Sequence, residues 1–590
     1  MKDAGCRRAG LDYARTTKNG RTRLRMVLIL ALLAIAMLAR NRAEAQETDP
    51  GKADAIQGMV INRVTHAPIP RALVSSSDQR FGTLTDSEGR FEFAAPTSST
   101  AAENGIATAP NASTFLLARK PGFLTDSPVR NYSAGKEITL ALVPEAIITG
   151  KVTLPNAEPP DSIPLELYRR QVEDGTAHWV LAAGTQSHAD GEFRFAELSA
   201  GTYKLLTREL MDRDPFSFDP QGQLYGYPPV YAQNAADFSS ASEISVAAGS
   251  TNVANLSVSR KAYYRVHIPV SNAQGLGGLN ITVYAGEHRE PGFSLGYNRN
   301  TQSIEGMLPT GNYTIEAFGP TAQGVGMGVM AFSVKGAAVA GPGLALVPNG
   351  SIKVVVNEEF TSVESSGTTT FINGRRSFKP KGPLSYLNMT LEPVDDGRGG
   401  SPSLRQPSGP GDETLLIENA QPGRYWVRVN STRGYAASVR SGSVDLLHDP
   451  IVIAPGGSTP PIEITMRDDT ATIDGTVEGI PAGAVPLLES MPGARPSMIQ
   501  PIPAPPAYVY CIPRADSNGQ FVEVWVSPDG SFASQPLAPG AYRVLAFDRP
   551  QGLEYRNPEA MQAYDGKGPV VRISGGQQEH VRLHVISSSE

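Results

Sequence analysis

The sequence predicts an all-β protein, a tandem array of five β-sandwich modules behind an N-terminal signal segment. Three observations predict it. Gly (59) and Pro (48) are plentiful among the 590 residues while charged side chains make up only 19%, a composition suited to many short strands joined by turns. Segments with a helical period are hard to find. One phrase recurs: Gly191, Phe193, Gly201 and Tyr203 keep the spacing of Gly530, Phe532, Gly540 and Tyr542, the mark of a repeated supersecondary unit.

The phrase has a physical reading. Asp190-Gly191 and Asp529-Gly530 supply a tight turn, the alternating apolar residues that follow make a half-buried strand, and Ala200-Gly201 or Pro539-Gly540 turns the chain into a second strand. Alternation then sends Tyr203 with Leu205, and Tyr542 with Val544, to one face, which is expected to be the core.

In chain order, residues 1–45 read as a targeting segment. Basic residues from Lys2 to Arg25 precede the apolar run Met26–Leu38, and Ala43-Glu44-Ala45 offers small residues for cleavage before Gln46. The run is too short for a permanent span, so cleavage is expected; Arg40 and Arg42 behind it leave a retained tether as the alternative. No second stretch is apolar for long enough to cross a bilayer, and no stable membrane span is expected after cleavage. The chain is then exported, to periplasm, cell surface or medium.

Removing the leader leaves 42 Lys+Arg against 55 Asp+Glu, a net charge of about −13. Such a balance argues against nucleic acid or an anionic membrane surface as partner. Cys6 leaves with the leader and Cys511 is then unpaired, so each module must rest on its own apolar core. The alternation in Tyr508-Val-Tyr-Cys-Ile512 makes Cys511 a buried strand thiol with no catalytic partner beside it.

The expected modules are 46–145, 146–260, 261–349, 350–468 and 469–590. Each opens on a short strand, as at Gly58-Met-Val60, Gly150-Lys-Val152, Arg265–Ile268, Ser351–Val354 and Gly475-Thr-Val477. Each closes on a glycine turn and an alternating strand, as at Gly135, Gly249, Gly456 and Gly576; the third closing phrase, near Gly336 to Leu346, is the most degraded. Modules three and four keep only the second half of the repeated phrase, at Gly311-Asn-Tyr313 and Gly423-Arg-Tyr425. Joints such as 142–147 and 466–473 are short, which predicts a bent, fairly stiff row. The irregular stretches 97–113, 399–411 and 489–507 fall inside modules and read as surface loops.

The first module, at Gly58–Val74, Thr83–Phe93 and Lys120-Pro-Gly-Phe123, resembles a carboxypeptidase regulatory-like domain, a transthyretin-like, Ig-like β-sandwich also grouped with carbohydrate-binding-like folds. Modules two and five are similar to it in fair measure, three and four in outline. The resemblance implies a seven- or eight-stranded sandwich in secreted or surface bacterial proteins. In that family the domain accompanies a metallocarboxypeptidase or an outer-membrane receptor barrel and is not itself catalytic, and neither companion is legible in this chain.

Motifs that could carry chemistry have plainer readings. The eight histidines are scattered without a His-Glu-x-x-His, and His580 and His584 share a strand parity that points them to solvent. Gly292-Phe-Ser-Leu-Gly296 has the pattern of a nucleophile elbow but lacks the following helix. The acidic turns at Asp86, Asp190, Asp516 and Asp529 lack the alternating ligands of a calcium loop, and Gly324-Val-Gly-Met-Gly328 reads as a turn. No catalytic or metal-binding residue is therefore assigned, and no cofactor is expected. Aromatic residues on a sandwich can stack on sugar rings. Tyr225, Tyr227 and Tyr231 are the candidates in module two, and Phe521 and Trp525, outward by the parity of Val522, Val524 and Val526, in module five. The expected function is that of a non-enzymatic binding or scaffold protein presenting loops and sheet faces to a polysaccharide or a cell-envelope protein. The alternative is an accessory array of an extracellular peptidase or glycosidase system, or a divergent hydrolase.

Overall fold

The computed structural model describes residues 55–587 except 77–81, 95–115, 126–136, 155–161, 213–221, 236, 275–277, 286–291, 362–369, 373–374, 378–381, 395–400, 407–411, 413, 457–458, 481–504 and 516. The leader, the stretch 97–113, Asp516, and much of 399–411 and 489–507 lie outside the described residues. Regular structure among the described residues is nearly all strand, and the α-helix Pro558–Gln562 has only five residues.

Five main hydrophobic clusters follow one another along the chain, from Ile56 to Leu142, Ala146 to Val258, Val266 to Leu346, Ile352 to Met466 and Ala471 to Leu583. In the first, Ile56, Val60 and Leu140 of a four-stranded sheet meet Val74, Leu116 and Ala118 of a three-stranded one. In the fifth, a seven-stranded sheet supplies the core.

The opening and closing phrases find each other. Ala55–Asn62 pairs in parallel with Glu137–Pro144, Gly350–Glu359 with Ile462–Arg467, and Thr472–Glu478 with Gln578–Ile586. The second and third units do the same with shorter closing strands, Thr251–Val253 and Leu256–Ser257 beside Ala146–Thr153, and Val339–Ala340 and Leu344–Ala345 beside Lys261–Ser271. Close approach explains the glycine in three of the opening strands. A Cβ on Gly58, Gly150 or Gly475 would lie 2.0, 1.9 or 1.8 Å from the carbonyl oxygen of Ile138, Ala254 or Val581 on the closing segment.

The repeated phrase builds a corner. Gly191 and Gly530 both take φ +82, a left-handed conformation that side chains resist. Further on, Tyr203, Tyr313 and Tyr542 are buried, and each hydroxyl donates to the carbonyl four residues back, of Ser199 (2.7 Å), Pro309 (2.9 Å) and Ala538 (2.7 Å). The ring fills the core while the hydroxyl ties the turn that precedes its own strand, the logic of a tyrosine corner.

Two sheets are covered on both faces. In Tyr508–Pro513, Val509 and Cys511 enter the fifth core, while Tyr508, Tyr510 and Ile512 enter a second cluster with Leu545, Phe547 and Leu553. A segment carrying Leu553, Tyr555, Met561 and Tyr564 lies over that outer face. In the second unit, Leu206, Tyr231, Phe238 and Ala241 form a comparable outer layer with Tyr168 and Trp179. Strand pairing also crosses the expected boundary at 260. Leu224–Tyr227, paired to Leu210–Met211, adds to the sheet of Lys261–Ser271, so residues before 260 complete the third unit's sheet.

Candidate functional site

The five aromatic candidates do not form one platform. Tyr225 is half-buried opposite Ala262, with the Arg260 guanidinium 4.1 Å from its ring centre and Arg260 in turn 2.6 Å from Asp212. Tyr227 is half-buried against the second core. Tyr231, expected to be available for stacking, is only 4% exposed and lies edge-to-face with Phe238 at 6.4 Å. Phe521 points away from the sandwich core as its parity predicts, yet Tyr555 lies parallel to its ring at 4.5 Å and Tyr510 at 5.3 Å. The open face expected for Phe521 is therefore corrected: the segment after residue 549 covers it. Trp525 keeps an open ring, 45% exposed, on the edge strand Val522–Trp525, with its indole N–H donating to Glu523 at 3.3 Å.

Phe521 leads instead to a joint between three units. The strands Pro164–Glu173 and Thr176–Gln186 are joined by the two-residue turn Asp174-Gly175, with φ of +44 and +77. Positive φ at both positions is the hairpin turn that Asp-Gly favours. The Asp174 carboxylate accepts from Arg428 (2.5 Å), Arg556 (2.8 Å) and the Tyr555 hydroxyl, and its backbone carbonyl accepts from Arg556 Nε at 2.9 Å. Arg428 belongs to the fourth unit, where Glu392 is 3.7 Å away, and the Arg556 guanidinium stacks 4.1 Å over the Trp426 ring. Beside them Arg170 meets Glu554 at 2.5 Å.

The electrostatics follow from burial. Burial pushes the Asp174 carboxyl up, but hydrogen bonding with Glu392 and the two guanidiniums outweigh it and hold Asp174 below its ordinary value. Burial, with Asp174 alongside, pushes Glu392 up to about 8. The sequence carries a local signal for this hairpin, an Asp-Gly between two alternating runs, but no signal for the socket that receives it.

The remaining motifs are occupied by structure. Ser294 of the Gly292–Gly296 pattern lies in an irregular segment before the strand Gly296–Asn298, where its backbone N–H donates to Glu209 at 3.2 Å. Glu209, pushed up to about 7 by burial, sits beside Tyr263 at the junction of the second and third units. Asp86, Asp190 and Asp529 accept from backbone N–H groups of their own turns, at 2.7 to 3.0 Å. His580 and His584 point to solvent beside Asp474 (2.8 Å) and Glu478 (3.8 Å) on the neighbouring parallel strand. Cys511 is fully buried, and burial alone pushes its thiol up to about 12. Among the described residues no group of three His, Cys, Asp or Glu could hold a metal ion, and no helix is long and apolar enough to cross a membrane.

No protein-family model matches the chain, and no curated protein matches it either. Similar solved structures include GBS52, the minor pilin of Streptococcus agalactiae, at 12% identity over 35% of this chain and 95% of that one, with a TM-score of 0.17. The Bacillus anthracis TIE protein is similar at 10% identity over 73% of this chain and 78% of that one, with a TM-score of 0.15. The pilus adhesin SpaC of Lactobacillus rhamnosus GG is similar at 12% identity over 70% of this chain and 57% of that one, with a TM-score of 0.14.

Proposed function

We propose that the protein is an exported, non-enzymatic scaffold of the cell envelope whose five sandwich modules, bounded near residues 145, 260, 349 and 468, hold a binding face in a fixed position. The observation that carries this reading is the continuity of the joints. One unit's strand completes the next unit's sheet at Leu224–Tyr227, and one unit's hairpin turn is clasped by two others at Asp174. Such joints suit a body that must keep its parts in register more than they suit tethered beads. The ligand expected is a polysaccharide, met at Trp525, whose open indole beside Glu523 offers an apolar face with a polar group at its edge.

A glycan array probed with the purified protein, followed by calorimetry on the glycans retained, tests the sugar assignment. Binding that falls about tenfold or more in Trp525→Ala, the loss of roughly 1.4 kcal/mol, supports it. Retention of no glycan, or binding indifferent to that substitution, removes the polysaccharide and leaves a protein partner as the ligand of the scaffold.

A further inference from the structure

We propose that the Asp174-Gly175 turn is a latch that holds the chain folded back on itself and, through Tyr555, clamps the segment covering the aromatic face of the fifth unit. This goes beyond the scaffold reading, since a scaffold could equally be an open row. The Asp174 carboxylate accepts from Arg428, Tyr555 and Arg556, all more than 250 positions away, and its other neighbour, Glu392, also belongs to a different unit. The hairpin's own strands therefore gain nothing from that carboxylate, and its role lies in the contact between units.

The fit is steric as well as electrostatic. A Cβ on Gly175 would lie 2.7 Å from the Tyr555 ring, so the backbone of the turn is pressed against the ring with no room for a side chain. On the other side of that ring lies Phe521, stacked at 4.5 Å. Tyr555 is thus held between the hairpin tip and the outer face of the fifth sheet, where Tyr510 and Phe547 complete the cluster. Gly552 repeats the close approach a little earlier in the covering segment, since its Cβ would be 3.0 Å from Val172 of the same hairpin. The charged and titratable groups facing Asp174 are Arg428 and Glu392 from the fourth unit and Tyr555 and Arg556 from the fifth, with the Arg170–Glu554 pair beside them. Two guanidiniums against one buried carboxylate make Asp174 the group on which closure depends. Removing it leaves both cations without their shared anion, the costly way to break a buried pair.

Asp174→Asn separates the latch from the hairpin, because Asn-Gly forms the same turn while the charge is lost. Small-angle scattering on the full-length protein and hydrogen exchange read the two consequences. We expect Asp174→Asn and Arg556→Ala each to increase the maximum dimension. Amide exchange across residues 551–556 is expected to speed up by about a hundredfold, with the slowly exchanging strands of each core unchanged. A scattering profile and an exchange rate that stay at the wild-type values in both variants would overturn the latch. So would a wild-type profile that already matches an extended row. Gly175→Ala is the third variant, and it should open the joint without altering any charge.

Discussion

The ammonium of Lys204 donates to the backbone carbonyl of Phe238 at 2.8 Å and to that of Ser239 at 2.9 Å, and lies 5.0 Å from the centre of the Phe238 ring. Lys204 alternates with Tyr203 and Leu205, so it emerges on the outer face of its sheet, where Trp179 lies 4.9 Å away. A buried lysine here fastens the layer that covers that face. Lys204→Met keeps most of the apolar volume but leaves the buried Phe238 carbonyl without this donor and the Ser239 carbonyl to solvent, at a cost of about 1 to 3 kcal/mol. Calorimetry should register the loss as a lower transition for the second unit, while the transitions of the other units stay in place.

The corner tyrosine can be divided into ring and hydroxyl. Tyr542→Phe removes the hydroxyl with its bond to Ala538 and its contact with Ser517 and is expected to cost about 1 to 2 kcal/mol, whereas Tyr542→Ala also opens a cavity in the fifth core and should cost about 3 to 5 kcal/mol. Denaturant unfolding followed by the fluorescence of Trp525, in a background with Trp179 and Trp426 replaced by Phe, measures both. Equal losses in the two variants would show that the hydroxyl, and not the ring, carries the corner.

Gly475 sits where the closing strand presses on the opening one. Gly475→Ala places a methyl 1.8 Å from the Val581 carbonyl oxygen and must part the parallel pair, so the fifth unit's transition should fall or vanish. Gly82→Ala is the control: a Cβ there meets nothing within 4 Å, and its effect should stay within about 0.5 kcal/mol.

Glu209 makes the junction of the second and third units sensitive to pH. Burial raises its carboxyl from 4.5 to about 7, so the folded state holds the proton more tightly than the unfolded chain does. The stability this confers is fully present below pH 4.5 and is lost as pH rises through about 7. The melting temperature should therefore decline across that window in the wild type and stay flatter in Glu209→Gln. Parallel curves for the two proteins would assign the decline to other groups.

Cys511 should be inert in the folded protein. Burial keeps the thiol both inaccessible and protonated, with its value pushed up to about 12, so alkylating reagents should label it only after unfolding. Labelling under native conditions at the rate of a free thiol would contradict the packing of Tyr508–Pro513.

The sequence made the inside of each sandwich legible and the outside illegible. Gly191, Phe193 and Tyr203 announce a turn, a strand and a core face through local chemistry, and the same residues in the fifth unit do so again. Val522, Val524 and Val526 likewise fix which way Phe521 and Trp525 point. Parity says which face a side chain takes, however, and not what lies over that face. Phe521 and Trp525 have the same local signal, yet Tyr555 covers one and leaves the other open. Tyr231 was lost as a candidate in the same way, to a layer anchored by Phe238. Asp174 shows the long-range version: its turn is readable from two residues, but its partners lie 254 and 382 positions further on.

The parallel pairing of each opening strand with its closing strand decides how a pull along the chain would be felt. The chain enters a unit at one end of the sheet and leaves at the opposite end, on the strand next door. Tension between those points slides the two strands past one another, so the ladder of six pairs in the first unit, or seven in the fifth, must give way together. An antiparallel arrangement of the same strands would place entry and exit at one end and peel the pairs apart singly. Five successive cores wired in this manner would each meet an applied force in shear.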